Sequence, residues 1–186
     1  MNRYQYNGLT IEIFNDSTYK FGSADNNMSY LKHYFGDNAK EYPTSKHGIK
    51  IIDNDLEINS CIIIGSGGAT GIYDNSTMID NDRLLVCCCD TLFCLSLPDL
   101  DLKWKTVADD ATCFQVYKLS EDYLTYGEIY ATRIDRDGII KWQFGGSDIY
   151  VSIDDSKPFV INSDHLLLTD FGGKEYKIDF NGKEIK

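Results

Sequence analysis

The stretch Arg133-Ile134-Asp135-Arg136-Asp137-Gly138-Ile139-Ile140-Lys141-Trp142 decides how the chain is read. Strand-forming residues flank Asp137-Gly138, and an Asp-Gly pair in that setting is a strong hairpin signal. The tight turn needs positive φ at both central positions, which Asp tolerates and Gly accepts freely. With a two-residue turn, Arg133 faces Trp142, Ala131 faces Phe144 and Ile129 faces Gly146. That face is apolar, and Arg133 is placed to stack on Trp142. The other face pairs Thr132 with Gln143 and Tyr130 with Gly145, and carries Lys141. One face is core and one is wet, as in an antiparallel sheet packed on one side.

Working outward, the same unit recurs. Before it come Leu84–Cys89, a turn at Asp90-Thr91, Leu92–Leu97, a turn around Pro98-Asp99, and Leu102-Lys103-Trp104. The middle unit holds Tyr123–Tyr126, Glu128–Ile134 and Ile139–Phe144. After it come Leu166–Asp170, a turn at Gly172-Gly173, Glu175–Phe180, a turn at Asn181-Gly182, and Lys183–Ile185. Trp104 and Trp142 stand 38 residues apart, and Ile185 follows 43 after Trp142. A period near 40 with three or four strands per unit predicts propeller-like blades or stacked sheets.

The first 80 residues fit this repeat poorly. Residues 9–14, 18–22, 50–52 and 57–64 read as strands, and residues 37–48, polar and containing Pro43, as a loop. Residues 26–35 are the best helix candidate. Met28, Leu31 and Phe35 recur at helical spacing, Asp25 or Asn26 is placed to cap the start, and Gly36 to end it. The expected architecture is a single all-β domain over 1–186. It has an irregular N-terminal part with one short helix, then repeated antiparallel meanders over 82–186. These form an incomplete propeller or stacked sheets.

Residues 133–142 resemble the end of a quinoprotein-type propeller repeat, whose blades close on an Asp, a Gly and a Trp in this order. Leu100-Asp101-Leu102-Lys103-Trp104 and Asp179-Phe180-Asn181-Gly182-Lys183-Glu184-Ile185 resemble weaker copies. The chain as a whole resembles small bacterial all-β proteins of this WD- or quinoprotein-like build. The resemblance implies a blade-like sheet over roughly 82–186 and no activity. Quinoprotein cofactor sites need more blades than this chain has room for, so no cofactor is expected.

Composition narrows the function. The 186 residues carry 29 acidic and 18 basic side chains, a net charge of −11. Such a chain repels phosphate backbones, which disfavours nucleic acid as a partner. No run approaches the roughly 20 apolar residues of a membrane-spanning helix. Met1-Asn2-Arg3-Tyr4-Gln5-Tyr6-Asn7 lacks an apolar signal core, so a cytoplasmic location is expected. Asp outnumbers Glu 22 to 7, with 12 Asn and 15 Gly, the composition of a chain that turns often. Six cysteines at 61, 87, 88, 89, 94 and 113 follow no disulfide or CxxC spacing, and His33, His47 and His165 are scattered. No metal site is expected. On a strand Cys87 and Cys89 would share one face and Cys88 the other, as core residues in a reducing compartment.

Two stretches hold candidate chemistry. Ile62–Gly71 runs from a strand into a Gly-rich loop containing Gly65, Gly67 and Gly68. However, Thr70 replaces the small residue of a dinucleotide fingerprint, and no helical pattern follows. Glu128 and Asp148 fall at the open end of the central hairpin, where Glu128 would face Ser147 and Asp148 would face Gly127. Paired carboxylates can share acid–base work, though adjacent positions point to opposite faces. Asp109, Asp110, Asp154 and Asp155 add acid in loops. Tyr-rich and acidic, the surface suits a protein partner, a basic one by charge complementarity, better than a reaction. The first expectation is a non-catalytic cytoplasmic protein-binding module, with an acidic toxin-neutralising protein of immunity type as its concrete form. The alternative is a small-ligand binder or enzyme with a site near the Gly65–Gly71 loop, Glu128 and Asp148.

Overall fold

The computed structural model describes residues 1–152 and 157–185. Sixteen strands form four sheets that stack in chain order. The first has five strands: β1 (Asn2–Tyr6), β2 (Leu9–Asn15), β3 (Lys32–Phe35), β4 (Ser45–Asp53) and β5 (Leu56–Gly65), in the order β1-β2-β4-β5-β3. The second is the four-stranded meander β6 (Thr77–Asp80), β7 (Arg83–Cys88), β8 (Thr91–Ser96) and β9 (Leu102–Val107). The third is β10 (Cys113–Leu119), β11 (Asp122–Gly127), β12 (Tyr130–Ile134) and β13 (Ile140–Gly145). The fourth is β14 (Phe159–Ile161), β15 (Leu166–Thr169) and β16 (Glu175–Ile178). An isolated bridge from Ile178 to Glu184 begins a fourth strand there. The last three sheets are blade-like antiparallel meanders.

Stacking explains the apolar runs. Along β7, Leu84, Val86 and Cys88 face the first sheet, while Leu85 and Cys87 face the third. A strand covered on both sides has no wet face, so alternation disappears. The third sheet behaves alike: Tyr123 and Ile134 pack toward the second, and Leu124, Tyr126 and Ala131 toward the fourth. The side of the central hairpin expected to be wet is therefore partly core, with Thr132 fully buried. The fourth strands β9 and β13 are edges, where Trp104 and Trp142 turn inward and Lys103, Lys105 and Lys141 are exposed. Edge lysines discourage pairing with another chain.

The central register holds as expected from Arg133↔Trp142 to Tyr130↔Gly145, although the turn is not the two-residue type. Gly138 N–H donates to Asp135 O (3.1 Å) and Asp135 N–H to Ile139 O (2.9 Å), which makes a three-residue loop. Gly138 carries the positive φ, +85°. An irregularity between Arg133 and Ile134 leaves Lys141 unmatched and restores the expected pairing. Arg133 turns to Asp122 and to Phe180 O rather than lying over Trp142. The ladder ends at Tyr130↔Gly145, so the pairs drawn beyond it, including Glu128 with Ser147, do not form.

The expected N-terminal helix is wrong: the described residues contain no helix. Lys32–Phe35 is instead strand β3, paired in parallel with Cys61–Ile64 of β5. Asn26, Asn27, Ser29, Tyr30, His33 and Tyr34 are all weak helix formers. The backbone of the segment finds its partners along an open sheet edge. Tyr34 faces the second sheet, whereas Phe35 joins Tyr19, Tyr30, Ile62 and Ile64 on the other side. Residues 18–22, expected as a strand, form turns and irregular chain over that outer cluster. Cys89 is a second correction. β7 ends at Cys88, and Cys89 takes φ +55°, which swings its side chain to the Cys88 side and away from Cys87.

Candidate binding face

The loops at one end of the stack bring together most of the residues singled out from sequence. β5 ends in the Gly65–Gly71 loop, β7 in Cys89-Asp90, β9 in Asp109–Thr112, and β11 in Glu128-Ile129. Gly68 N–H donates to Ala111 O (2.9 Å), and Glu128 N–H to Thr112 O (2.8 Å). Room at Gly67 is tight, since a Cβ there would lie 3.1 Å from Ala111 O and 3.6 Å from Asp90 Cβ. Gly65 backs onto Cys88 and Cys89, whose sulfurs a Cβ would meet at 2.8 and 2.7 Å. The glycines serve close approach between sheets, and no helix follows them to hold a phosphate.

Asp109 organises this end. Its Oδ1 accepts from the N–H groups of Ala111 (2.8 Å) and Thr112 (2.9 Å), its Oδ2 from those of Ile129 (2.9 Å) and Tyr130 (2.8 Å). Asp109 is buried, and that burial raises its pKa even against those four donors. A carboxylate saturated in this way is a structural clamp. Glu128 Oε2 accepts from Thr112 Oγ1 (2.9 Å), and Asp110 Oδ2 from Tyr130 Oη (3.0 Å). Asp148 turns to its own neighbour, Ile149 N–H (2.8 Å), while Tyr150 N–H takes Glu128 O (2.6 Å). Glu128 and Asp148 are thus held by separate partners. Asp154 and Asp155 lie outside the described residues.

Sequence reasoning missed Asp90 and Asp37. Asp90 is half-buried beside Gly67. Burial raises its pKa first, and the negative charges of Asp37 and Asp109 add to the rise. Asp37 is in turn paired with Lys105 (2.7 Å). The available signal was position: Cys89-Asp90 is the turn between β7 and β8, at the same end as the Gly-rich loop. Among the described residues, clefts of about 530 and 580 Å³ are lined by Tyr19, Phe21, Tyr30 and His33, and by Tyr117, Tyr126 and Phe159 with Lys157.

The arrangement defines a chain of stacked blade-like β-sheets with acid gathered at one loop end. No family model and no curated protein sequence matches it. Among solved structures it is similar to BamB from Moraxella catarrhalis, with 11% identity, a TM-score of 0.49, and 75% of this chain against 43% of that one. It is also similar to the Neurospora crassa Pan2 WD40 domain (15%, 0.47, 64% against 37%) and to the WD40 β-propeller domain of Doa1 (12%, 0.41, 73% against 41%). The chain spans less than half the length of each of these three.

Proposed function

We propose that the chain is a non-catalytic protein-binding module that receives a basic partner on the acidic loop end. The observation that supports this is convergence: Asp90, Asp110 and Glu128 come from three separate segments and meet around one Gly-rich loop, with Asp109 buried beneath them as a clamp and Asp37 beside them paired with Lys105. Crowded carboxylates raise one another's pKa, and an ammonium or guanidinium group placed among them relieves that repulsion. Tyr130, partly exposed and bonded to Asp110, adds an amphipathic ring of the kind that anchors interfaces. Net charge of −11 speeds encounter with a cationic protein. In its concrete form, the module neutralises a basic enzyme in the cytoplasm, as an immunity protein covers a nuclease.

The test is recovery of partners by the tagged full chain at about 50 mM and about 500 mM salt, concentrations that bracket strong and weak screening. A stoichiometric basic protein held at low salt and released at high salt supports the proposal. That protein should also be lost by the paired substitution Asp110→Asn and Glu128→Gln. A partner whose binding ignores salt and these substitutions would sink the electrostatic version.

A further inference from the structure

Six free cysteines are buried in the structure, and one pair of them meets across two sheets. Cys87 Sγ and Cys113 Sγ lie 3.5 Å apart. They belong to different sheets, Cys87 to β7 and Cys113 to the start of β10, and both are fully buried in the seam between those sheets. Leu85, Leu92, Ala108 and Val116 pack in the seam with them. The backbone is tied at the same place: Cys113 N–H donates to Cys89 O (2.7 Å) and Cys87 N–H to Ser76 O (2.9 Å). Both thiols are therefore carried on anchored chain, and their mutual approach is built into the packing of one sheet on the next.

We propose that Cys87 and Cys113 are an oxidisable pair that forms a disulfide across the seam, stapling the β6–β9 sheet to the β10–β13 sheet. A disulfide sulfur pair sits at about 2.05 Å, so closure needs the two sulfurs to approach by roughly 1.5 Å, a small movement for side chains already in contact. The oxidant is a peroxide. One thiolate attacks a peroxide oxygen, forming an S–O bond and releasing hydroxide. The second thiolate then attacks that sulfur, the S–S bond forms, and a second hydroxide leaves. The two thiol protons and two electrons turn one hydrogen peroxide into two waters. Burial holds the Cys87 thiol well above its usual pKa, so attack waits for the seam to open transiently. The reaction is accordingly slow, and mild urea accelerates it. Cys88 and Cys89 pack toward the first sheet, on the other side of β7, and do not compete for the same contact.

Reduced full-length protein is treated with hydrogen peroxide, the remaining thiols are alkylated, and the digest is read by mass spectrometry. The expected product has lost two thiols and two mass units, with the Cys87 and Cys113 peptides joined. The cross-link closes a loop of about 25 residues and should raise the thermal midpoint by roughly 5–10 °C, reversed by dithiothreitol. Cys113→Ser and Cys87→Ala each abolish this product, and Cys94→Ser leaves it intact. Six titratable thiols after treatment in mild urea overturn the proposal. So does a linkage between any other two cysteines, or sulfinic acid at Cys87 without a cross-link. If Cys113→Ser fails to fold, the peptide map of the native chain decides alone.

Discussion

The second sheet and the N-terminal sheet each hold the turn that precedes the fourth strand of the sheet after them, by different means. From the second sheet, Trp104 Nε1 donates to Arg136 O (2.9 Å), its ring lies on Gly138, and Arg83 donates to the same carbonyl. The third sheet repeats this on the fourth: Trp142 Nε1 and Arg133 Nη1 both reach Phe180 O (3.1 and 2.7 Å), and the Trp142 ring lies on Gly182. The N-terminal sheet has no such Trp. Lys32 and Asn59 donate to Asp99 O (2.5 and 2.7 Å), and Tyr34 Oη donates to Leu100 O (2.7 Å). One docking mode converges on a single carbonyl, reached by a tryptophan that also packs on the turn glycine and by an arginine. The other divides the work among three residues on two strands that are not neighbours in sequence.

The largest effect should come from breaking the concentrated mode at its glycine. Gly138 has φ +85°, and a Cβ there would lie 2.7 Å from the Trp104 ring. Gly8 has nearly the same φ, +84°, with nothing within 4 Å of its Cβ position. Gly8→Ala should cost about 1 kcal/mol, the strain of the left-handed backbone alone. Gly138→Ala adds overpacking and should cost about 3 kcal/mol, as should Gly182→Ala. Urea unfolding midpoints compare the three. Equal losses at Gly8 and Gly138 would show that the indole does not fill the space above the turn.

A smaller, pH-dependent effect sharpens the role of the arginine. Asp122 is buried and accepts from Arg133 (2.7 Å) and Lys141 (2.8 Å). Burial pushes its pKa up, but the hydrogen bonds and charges of Lys141 and Arg133 outweigh that and hold it below the usual carboxylate value. A depressed folded-state pKa means stability that is present above the unfolded value of about 3.9 and lost as pH falls through the folded one. Asp122→Asn should therefore cost about 2 kcal/mol at pH 7. The difference from the parent should shrink steadily once the pH drops below about 4. A cost that stays constant from pH 7 to pH 3 would mean that Asp122 acts through packing and not through its charge.

The contrast between docking modes also explains what could be read from the sequence. The Trp–Gly mode leaves a signature, because Trp104 and Trp142 are the two tryptophans of the chain, stand 38 residues apart, and each meets a turn glycine, Gly138 or Gly182. It made three repeating units visible. The first strand of each of these sheets, β6, β10 and β14, escaped notice. In β10, Phe114, Val116, Tyr117 and Leu119 carried enough strand-forming character to show it. The central register came out right because two departures cancel: the loop is one residue longer than supposed, and Lys141 is bulged out. At the loop end, Gly65–Gly68, Asp109-Asp110 and Glu128 were legible as candidates. Asp90 was hidden, since its place beside Gly67 depends on how two sheets stack.

The smallest effect should separate the two readings of residues 26–35. On a helix, Leu31 lies at the centre of the apolar stripe with Met28 and Phe35, and truncating it would cost 2–5 kcal/mol in round figures. In the structure the residue immediately precedes β3 and is 71% exposed, while Tyr30 before it is buried with Oη on Asp16 (2.7 Å). Leu31→Ala should then change stability by less than about 0.5 kcal/mol. Tyr30→Ala, which empties the cluster beneath, should cost several-fold more. The pair is informative because neighbouring positions on a helix and in an extended segment divide burial differently. A helix would bury Leu31 with Met28 and Phe35, whereas extended chain turns Tyr30 inward and Leu31 to solvent. A large loss at Leu31 would restore the helix, and with it a different docking of the N-terminal sheet on the turn around Asp99.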